Sequence, residues 1–260
     1  MANPMDLDKK YDKAIEQAVL FDDDFSNIAL DDIPTMQYIL RVILQKYDLE
    51  IVDIVTQADN KQFVGKSMRL DFRVIDKNEN VYDVEIQNTK NDDLVDRALH
   101  NFSAMNLKTV DSGKLYKTTH EKFVIFINSF DYFGTGEAIR TAKLRDDNPS
   151  HDCWTNKMHI IMVNGDYRGN DDLGNLLHDF AEKNPENMFC PIIANRVHYF
   201  KREKGGRKIM SGMFEKIQQE TKEEVAKNLL ILNKLSVEEI AKATGLTLEK
   251  IKDLAKKINN

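Results

Sequence analysis

The sequence predicts an α/β fold built on a mixed sheet, and three observations carry that prediction. Residues 67–75 and 81–87 alternate apolar and polar side chains with a period of two, and the polar turn DKNEN joins them as an antiparallel hairpin. Residues 122–130, KFVIFINSF, are a nearly continuous apolar run of strand length, which suits a buried central strand reached by a helical crossover. Segments of helical period lie before, between and after these runs, so helices and strands are interleaved.

Taken in order, the first element is an amphipathic helix over about 8–21, with Ile15, Val19 and Leu20 as its apolar positions. Asp32-Ile33-Pro34-Thr35 reads as a helix start with proline near the first turn. Met36, Ile39, Leu40, Val42, Ile43 and Leu44 then recur at helical spacing and predict a wide buried face. EIVDIVT at 50–56 is a strand, followed by the hairpin. In its first run Met68, Leu70, Phe72 and Val74 alternate with Arg69, Asp71 and Arg73; in its second, Val81, Asp83, Glu85 and Gln87 share a face. A helix over 91–110 has Leu94, Ala98, Phe102 and Met105 as its stripe. The strands 122–130 and 158–163 follow, then a helix over 171–183 with acidic residues in its first turn.

The composition shifts near residue 201. KREKGGRK is basic, carries two glycines and reads as a linker or loop. Residues 211–234 read as one helix. Ser236 with Glu239 three residues on is a capping box, Gly245 ends that helix, and Thr247 opens the last one. The expected division is therefore an α/β domain over 1–208 and a C-terminal helical, helix-turn-helix-like tail over 209–260.

Composition bounds the function. With 260 residues, 42% hydrophobic and 31% charged, the chain can bury a core without disulfides and is neither disordered nor collagenous. No run of about 18 apolar residues predicts a membrane span. The first residues, MANPMDLDKKYDK, lack the apolar stretch of a secretory signal. Cys153 and Cys190 are too sparse for a disulfide framework or a zinc cluster, which predicts reduced thiols in a cytoplasmic protein. The net charge of -6 excludes a generally basic nucleic-acid coat. It leaves room for an enzyme acting on nucleic acid, because acidic metal sites and local basic patches coexist on such proteins. The six histidines make no His-x-x-x-His pair, and His178 reads as structural. Gly134-Thr135-Gly136 lacks the lysine and length of a phosphate-binding loop and reads as a turn. No Gly-x-Ser-x-Gly elbow is present.

The strongest chemical constellation lies on the hairpin. If Ile75 faces Val81, residue 71 lies opposite residue 85, and cross-strand Cβ atoms are then about 5 Å apart. Asp71 and Glu85 at that separation repel each other unless a cation sits between them. Two hard carboxylates with room for water are what Mg²⁺ takes, and such an ion can polarise a phosphodiester and activate a water. Two strand carboxylates on a solvated sheet face, with no metal, would show the same spacing.

Asp71, thirteen residues, then Glu85-Ile86-Gln87 resembles the active-site pattern of the PD-(D/E)XK nuclease superfamily. More narrowly, Arg69-Leu70-Asp71-Phe72-Arg73-Val74 followed by Glu85-Ile86-Gln87 resembles the PD-(D/E)XK family transposases, the Rpn-like recombination-promoting nucleases. Arg97, then Gly113 with Tyr116 before KFVIFI, and the LSVEEIAKATGLT tail extend the resemblance over about 10–257. It implies a restriction-endonuclease-like mixed sheet flanked by helices, with a nuclease-like domain over 1–208. It implies a metal-dependent DNA endonuclease in which Asp71 and Glu85 hold Mg²⁺ or Mn²⁺, with the backbone carbonyl of Ile86 as a further ligand. Gln87 would position the attacking water, and Arg69 or Arg97 would neutralise the phosphate.

Three departures stand out. Leu70 replaces the proline of the superfamily name, and Gln87 replaces its lysine; an amide can orient a water but carries no charge. His100 and Asn101 stand where an aromatic pair usually follows the helix arginine. The alternative reading is therefore a catalytically weak DNA-binding or interaction protein that keeps the fold.

Weaker features complete the picture. Glu16 is either a third acid for the metal site or a solvated helix residue. Lys201, Arg202, Lys204, Arg207 and Lys208 either contact phosphates or line a solvated linker. The C-terminal helix pair, with Lys250, Lys252, Lys256 and Lys257, is either a reader of DNA or a packing element of a homodimer. The expected partners are DNA and a second copy, with no membrane.

Overall fold

The structure is a computed structural model that describes residues 4–60, 68–108, 120–143, 148 and 157–258. The chain divides into two compact units, Glu16–Arg202 and a second made of Met1–Ile15 with Glu203–Asn260. Among the described residues no helix is long and apolar enough to cross a membrane.

The chain begins with helices α1 (Pro4–Gln17), α2 (Asp23–Ala29) and α3 (Ile33–Leu44). Helix α1 stops short of the predicted residue 21, and the cause lies far away in sequence. The Lys201 ammonium takes the carbonyls of Glu16 and Ala18 at 3.2 and 2.6 Å, together with that of Lys183 at 2.6 Å. Those carbonyls are then no longer available to a continuing helix. Helix α2 has no counterpart in the sequence reading. It spans only seven residues, too few to show a helical period, and Arg196 caps it by donating to the Ala29 carbonyl at 2.8 Å. Helix α3 starts as predicted, because the Asp32 carboxylate accepts from the Thr35 amide at 3.0 Å, with Pro34 in the first turn.

The sheet has six strands: β1 (Ile51–Asn60), β2 (Met68–Asp76), β3 (Val81–Gln87), β4 (Lys122–Asn128), β5 (Ile139–Ala142) and β6 (Met158–Asn164). Their spatial order is β1-β2-β3-β4-β6-β5. Strands β1, β2 and β3 pair antiparallel, β3, β4 and β6 pair parallel, and β5 returns antiparallel to β6. Helix α4 (Leu94–Lys108) is the crossover between β3 and β4, as a parallel pair requires. Its Leu94, Ala98 and Met105 bury one face of the sheet with Val81, Val124, Phe126, Ile160 and Met162. The predicted mixed sheet flanked by helices is thus the observed architecture. Strand β5, half exposed at the sheet edge and four residues long, was too short for a period to mark it.

Helices α5 (Asp172–Ala181) and α6 (Pro191–Arg202) complete this unit. Helix α6 falls where the sequence reading assigned nothing, although Ile193, Val197 and Phe200 bury at helical spacing. Asp179, fully buried, accepts from the Phe189 and Cys190 amides at 2.9 and 2.7 Å and so ties α5 to the entry of α6. Burial pushes the Cys190 thiol up to about 12, so this cysteine is inert; Cys153 lies outside the described residues.

In the other unit α7 (Lys204–Leu232), α8 (Val237–Thr244) and α9 (Leu248–Ile258) pack together through Ala226, Ile240, Leu246, Ile251 and Leu254. KREKGGRK is not a loop: it closes α6 and opens α7 with only Glu203 between them, and the division between the two units falls within it. Its two glycines fall in the first turn of α7, where the loss of helix propensity is least felt. Tyr11 of α1 stacks on Phe214 at 5.9 Å, and Asp12 pairs with Arg207.

The β2–β3 hairpin has an internal fastener. The Asp76 carboxylate, 2% exposed, accepts from the amides of Asn78 and Asn80, from Asn80 Nδ2 and from the Tyr82 hydroxyl, all at 2.9–3.0 Å. Asp76→Ala should lower unfolding stability by about 3 kcal/mol, the scale of several buried donors left unpaired. Urea denaturation measures it, and Asp76→Asn, which keeps an acceptor, should cost less.

Candidate active site

Strand β3 carries the site. Asp83, Glu85 and Gln87 alternate with Tyr82, Val84 and Ile86, so the three polar side chains share the face that α4 covers. That face is dry rather than solvated: Asp83 is 0% and Glu85 4% exposed. The opposite face is aromatic, with Tyr82 stacked on Phe123 at 4.6 Å and Phe123 on His159 at 4.2 Å.

Strand β2 pairs with β3 from Ile75↔Val81 to Phe72↔Val84, which makes Asp71 and Glu85 the next positions in that register. There side chains take over from the backbone ladder. The Asp71 amide donates to Glu85 Oε1 at 3.4 Å, and the Ile86 amide donates to Asp71 Oδ2 at 3.1 Å. The two carboxylates are thereby interlocked, each held by the other strand's backbone.

Helix α4 supplies the counter-groups. Arg97 donates through Nη1 to Gln87 Oε1 at 2.6 Å and through Nη2 to Glu85 Oε2 at 3.4 Å, with its guanidinium 5.4 Å from the Phe126 ring centroid. One turn on, Asn101 Nδ2 bridges Asp83 Oδ2 at 2.9 Å and Glu85 Oε1 at 3.4 Å. The four-residue spacing puts both on one helix face. Gln87 Nε2 reaches the Thr89 carbonyl at 2.7 Å, so its amide is oriented at both ends.

The structure therefore brings Asp71, Glu85, Gln87 and Arg97 together. The Ile86 backbone lies in the same stretch, with its side chain turned to the other face. Arg69 stands in β2 opposite Asp59, and its side chain lies outside the described residues, as do Gly113 and Tyr116. Glu16 is held by Arg202, with both oxygens 2.7 Å from Nη1. Lys201 is buried among carbonyls, so it faces no phosphate.

Two participants had little signal in the sequence. Asp83 was visible as a same-face neighbour of Glu85, but nothing there showed that the face would be buried. Asn101 looked like a departure from a pattern, and the signal that could have found it was its four-residue offset from Arg97. The acidic start of α2 is a third feature: Asn88 Nδ2 reaches Asp22 Oδ1 at 3.5 Å. Burial, then Asp24 and Asp22, raise the Asp23 carboxyl, and Arg97 is close enough to oppose them.

Electrostatically this is a strained set of acids. Burial raises Asp83 to about 7; Asn101 and Glu85 oppose the shift through hydrogen bonds, and Asp71 adds to it. Burial, then the charges of Asp83 and Asp71, raise Glu85 well above the ordinary carboxylate range against the pull of Arg97. Asp83 Oδ1 is buried without a hydrogen-bond partner. Buried carboxylates that raise one another's pKa and leave an oxygen unmatched are short of positive charge. Among the described residues no three His, Cys, Asp or Glu side chains already form a metal cluster. The donor set that fits is smaller: two carboxylates, Asp71 and Glu85, with water completing the shell, as Mg²⁺ prefers.

A family model described as PD-(D/E)XK nuclease family transposase matches residues 32–164, from the cap of α3 to the last residue of β6. Both acid-bearing strands and α4 fall within that span. No curated protein and no solved structure matches the chain.

The electrostatics make a signed prediction. Because Asp83 titrates near 7 in the native state against 3.8 ordinarily, the native state binds the extra proton between those values. Its contribution to stability is present at low pH and is lost as pH rises through about 7. In EDTA, Asp83→Asn should therefore gain stability relative to wild type as pH rises from acid to neutral, measured by thermal melts. A difference between the two proteins that does not change with pH would contradict the assignment.

Proposed function

Because the chain belongs to the PD-(D/E)XK nuclease family transposases, we propose that it is a metal-dependent DNA endonuclease acting in the cytoplasm, of the recombination-promoting type. The observation that carries this reading is the interlock of Asp71 and Glu85 across β2 and β3, above a buried acid with an unmatched oxygen. Asp71 and Glu85, with the Ile86 carbonyl, would hold Mg²⁺ or Mn²⁺. Such an ion supplies Lewis-acid polarisation of the phosphodiester and a water of lowered pKa.

The chain's own residues do the rest. Gln87 is fixed by Arg97 and the Thr89 carbonyl, and an amide nitrogen carries two donors, so a second N–H can orient the attacking water. Arg97, about a third exposed, has five donors in its fork and spends two on Gln87 and Glu85. The same side chain can therefore orient Gln87 and meet the phosphate, with Arg69 as the second proposed phosphate contact. Asn101 ties Asp83 and Glu85 to one amide nitrogen, which fixes the Glu85 carboxyl beside Asp71.

Plasmid cleavage in Mg²⁺ or Mn²⁺ tests the proposal. Asp71→Ala and Glu85→Ala should each reduce the rate by orders of magnitude, since each removes a metal ligand. Gln87→Ala should cost less, because an uncharged amide only orients. Full cleavage in EDTA, or in either carboxylate variant, would refute the mechanism. A folded protein that binds DNA and never cuts it would favour a binding role for the retained fold.

A further inference from the structure

Residues 203–260 carry twelve Lys or Arg against nine Asp or Glu, in a chain whose net charge is -6. The basic excess is thus concentrated outside the acidic site-bearing part. Within it, α8 and α9 are joined by three residues, Gly245, Leu246 and Thr247. Gly245 adopts φ 70° and its amide closes on the Ala241 carbonyl at 2.9 Å, a left-handed corner that favours glycine. Thr247 starts α9, its hydroxyl accepting from the Lys250 amide at 3.3 Å. Ser236 and Glu239 close a capping box at the start of α8. This is a helix pair with a tight glycine turn, the form that presents a second helix to a DNA groove.

Burial decides which side of α9 is presented. Ile251 and Leu254, with Ile240 of α8 and Leu246 of the turn, are in the core under α7. Lys250 is drawn back to Glu223 of α7 at 2.7 Å. Thr247, Leu248, Glu249, Lys252, Asp253 and Lys256 are left exposed. The face is polar and charged, with Lys252, Lys256 and the exposed Lys257 against Glu249 and Asp253, and Lys256 stands 3.8 Å from Asp253; such a composition is what the core of a protein–protein interface avoids. Its N-terminal end offers an apolar side chain, Leu248, and an acceptor, Glu249, of the kind that reads a thymine methyl and a cytosine amine. Lys252 and Lys256 follow at a spacing that tracks the backbone.

We propose that α9 is a recognition helix that docks in the major groove of duplex DNA, with Leu248 and Glu249 reading bases and Lys252 and Lys256 on phosphates. It shares with the nuclease reading only the identity of the ligand. It supplies a target-choosing surface separate in sequence from the Asp71–Glu85 site.

The test uses the full chain in EDTA and fluorescence anisotropy with a random-sequence duplex. Log affinity should fall linearly with log salt, and Lys252→Ala/Lys256→Ala should flatten the slope by about 2, near 0.9 for each lost phosphate contact. Lys252→Arg/Lys256→Arg should restore it. Leu248→Ala/Glu249→Ala should keep the slope and abolish the sequence preference that selection from a random pool reveals. An unchanged slope in the double-alanine variant overturns the proposal. So does binding confined to single strands. A third outcome also overturns it: these variants halving the solution mass would make the face a contact between copies. Loss of cleavage in Asp71→Ala with normal duplex binding leaves the proposal standing. Normal Mg²⁺-dependent cleavage with an unchanged salt slope sinks it and spares the nuclease reading.

Discussion

The interaction on which the site depends is the repulsion among buried carboxylates on the central strand. Asp83 and Glu85 lie two residues apart on a dry face, and Asp71 enters from the neighbouring strand. In a medium of low dielectric such a set is expensive unless each oxygen is matched. The chain matches most of them with amides and one guanidinium: the backbone of Asp71 and Ile86, Asn101 and Arg97. It does not match all of them, and Asp83 Oδ1 is the remainder. For the proposed metal site this is the useful state, because a cation is drawn to acids left short of positive charge rather than neutralised by their own neighbours.

That arrangement also explains why the fold around it is built so firmly. Asp71 and Glu85 interlock the open end of the hairpin, and Asp76 fastens its closed end through four donors. Strands β3 and β4 are buried along nearly their whole length, and β6 over most of its own, so β3 cannot slide to relieve the strain. Helix α4 is pinned by Leu94, Ala98 and Met105 in the apolar core, and its polar residues Arg97 and Asn101 are thereby delivered over the acids. Apolar packing sets the position; the polar contacts exploit it.

Long basic side chains serve two opposite purposes in this protein. Lys201 is wholly buried and, with burial lowering its pKa to about 8, acts as a tie between carbonyls of three separate residues. Arg196 does the same for the end of α2. Lys252, Lys256 and Lys257 of α9 do the reverse and are exposed on a helix whose other side is packed. Sequence position and composition look alike in the two cases; burial separates them.

Much of this was legible in the sequence. Period-two alternation on either side of DKNEN defined the hairpin, and because a strand's period is fixed, it also defined which residues oppose each other; the observed ladder follows that register. The capping box at Ser236 and the corner at Gly245 were equally local, and local signals survive without knowledge of the rest of the chain. What the sequence left open depended on partners distant in the chain. Helix α1 ends where Lys201 claims its carbonyls, 185 residues away, and KREKGGRK proves helical on both sides of Glu203 although its basic residues and paired glycines suggest a loop. Whether the Asp83–Glu85 face met water or α4 was undecidable from alternation, which marks two faces without saying which is covered. Only tertiary packing placed Asn101 and Arg97 over that face, and only burial there turned an ordinary pair of strand acids into groups whose charge must be compensated.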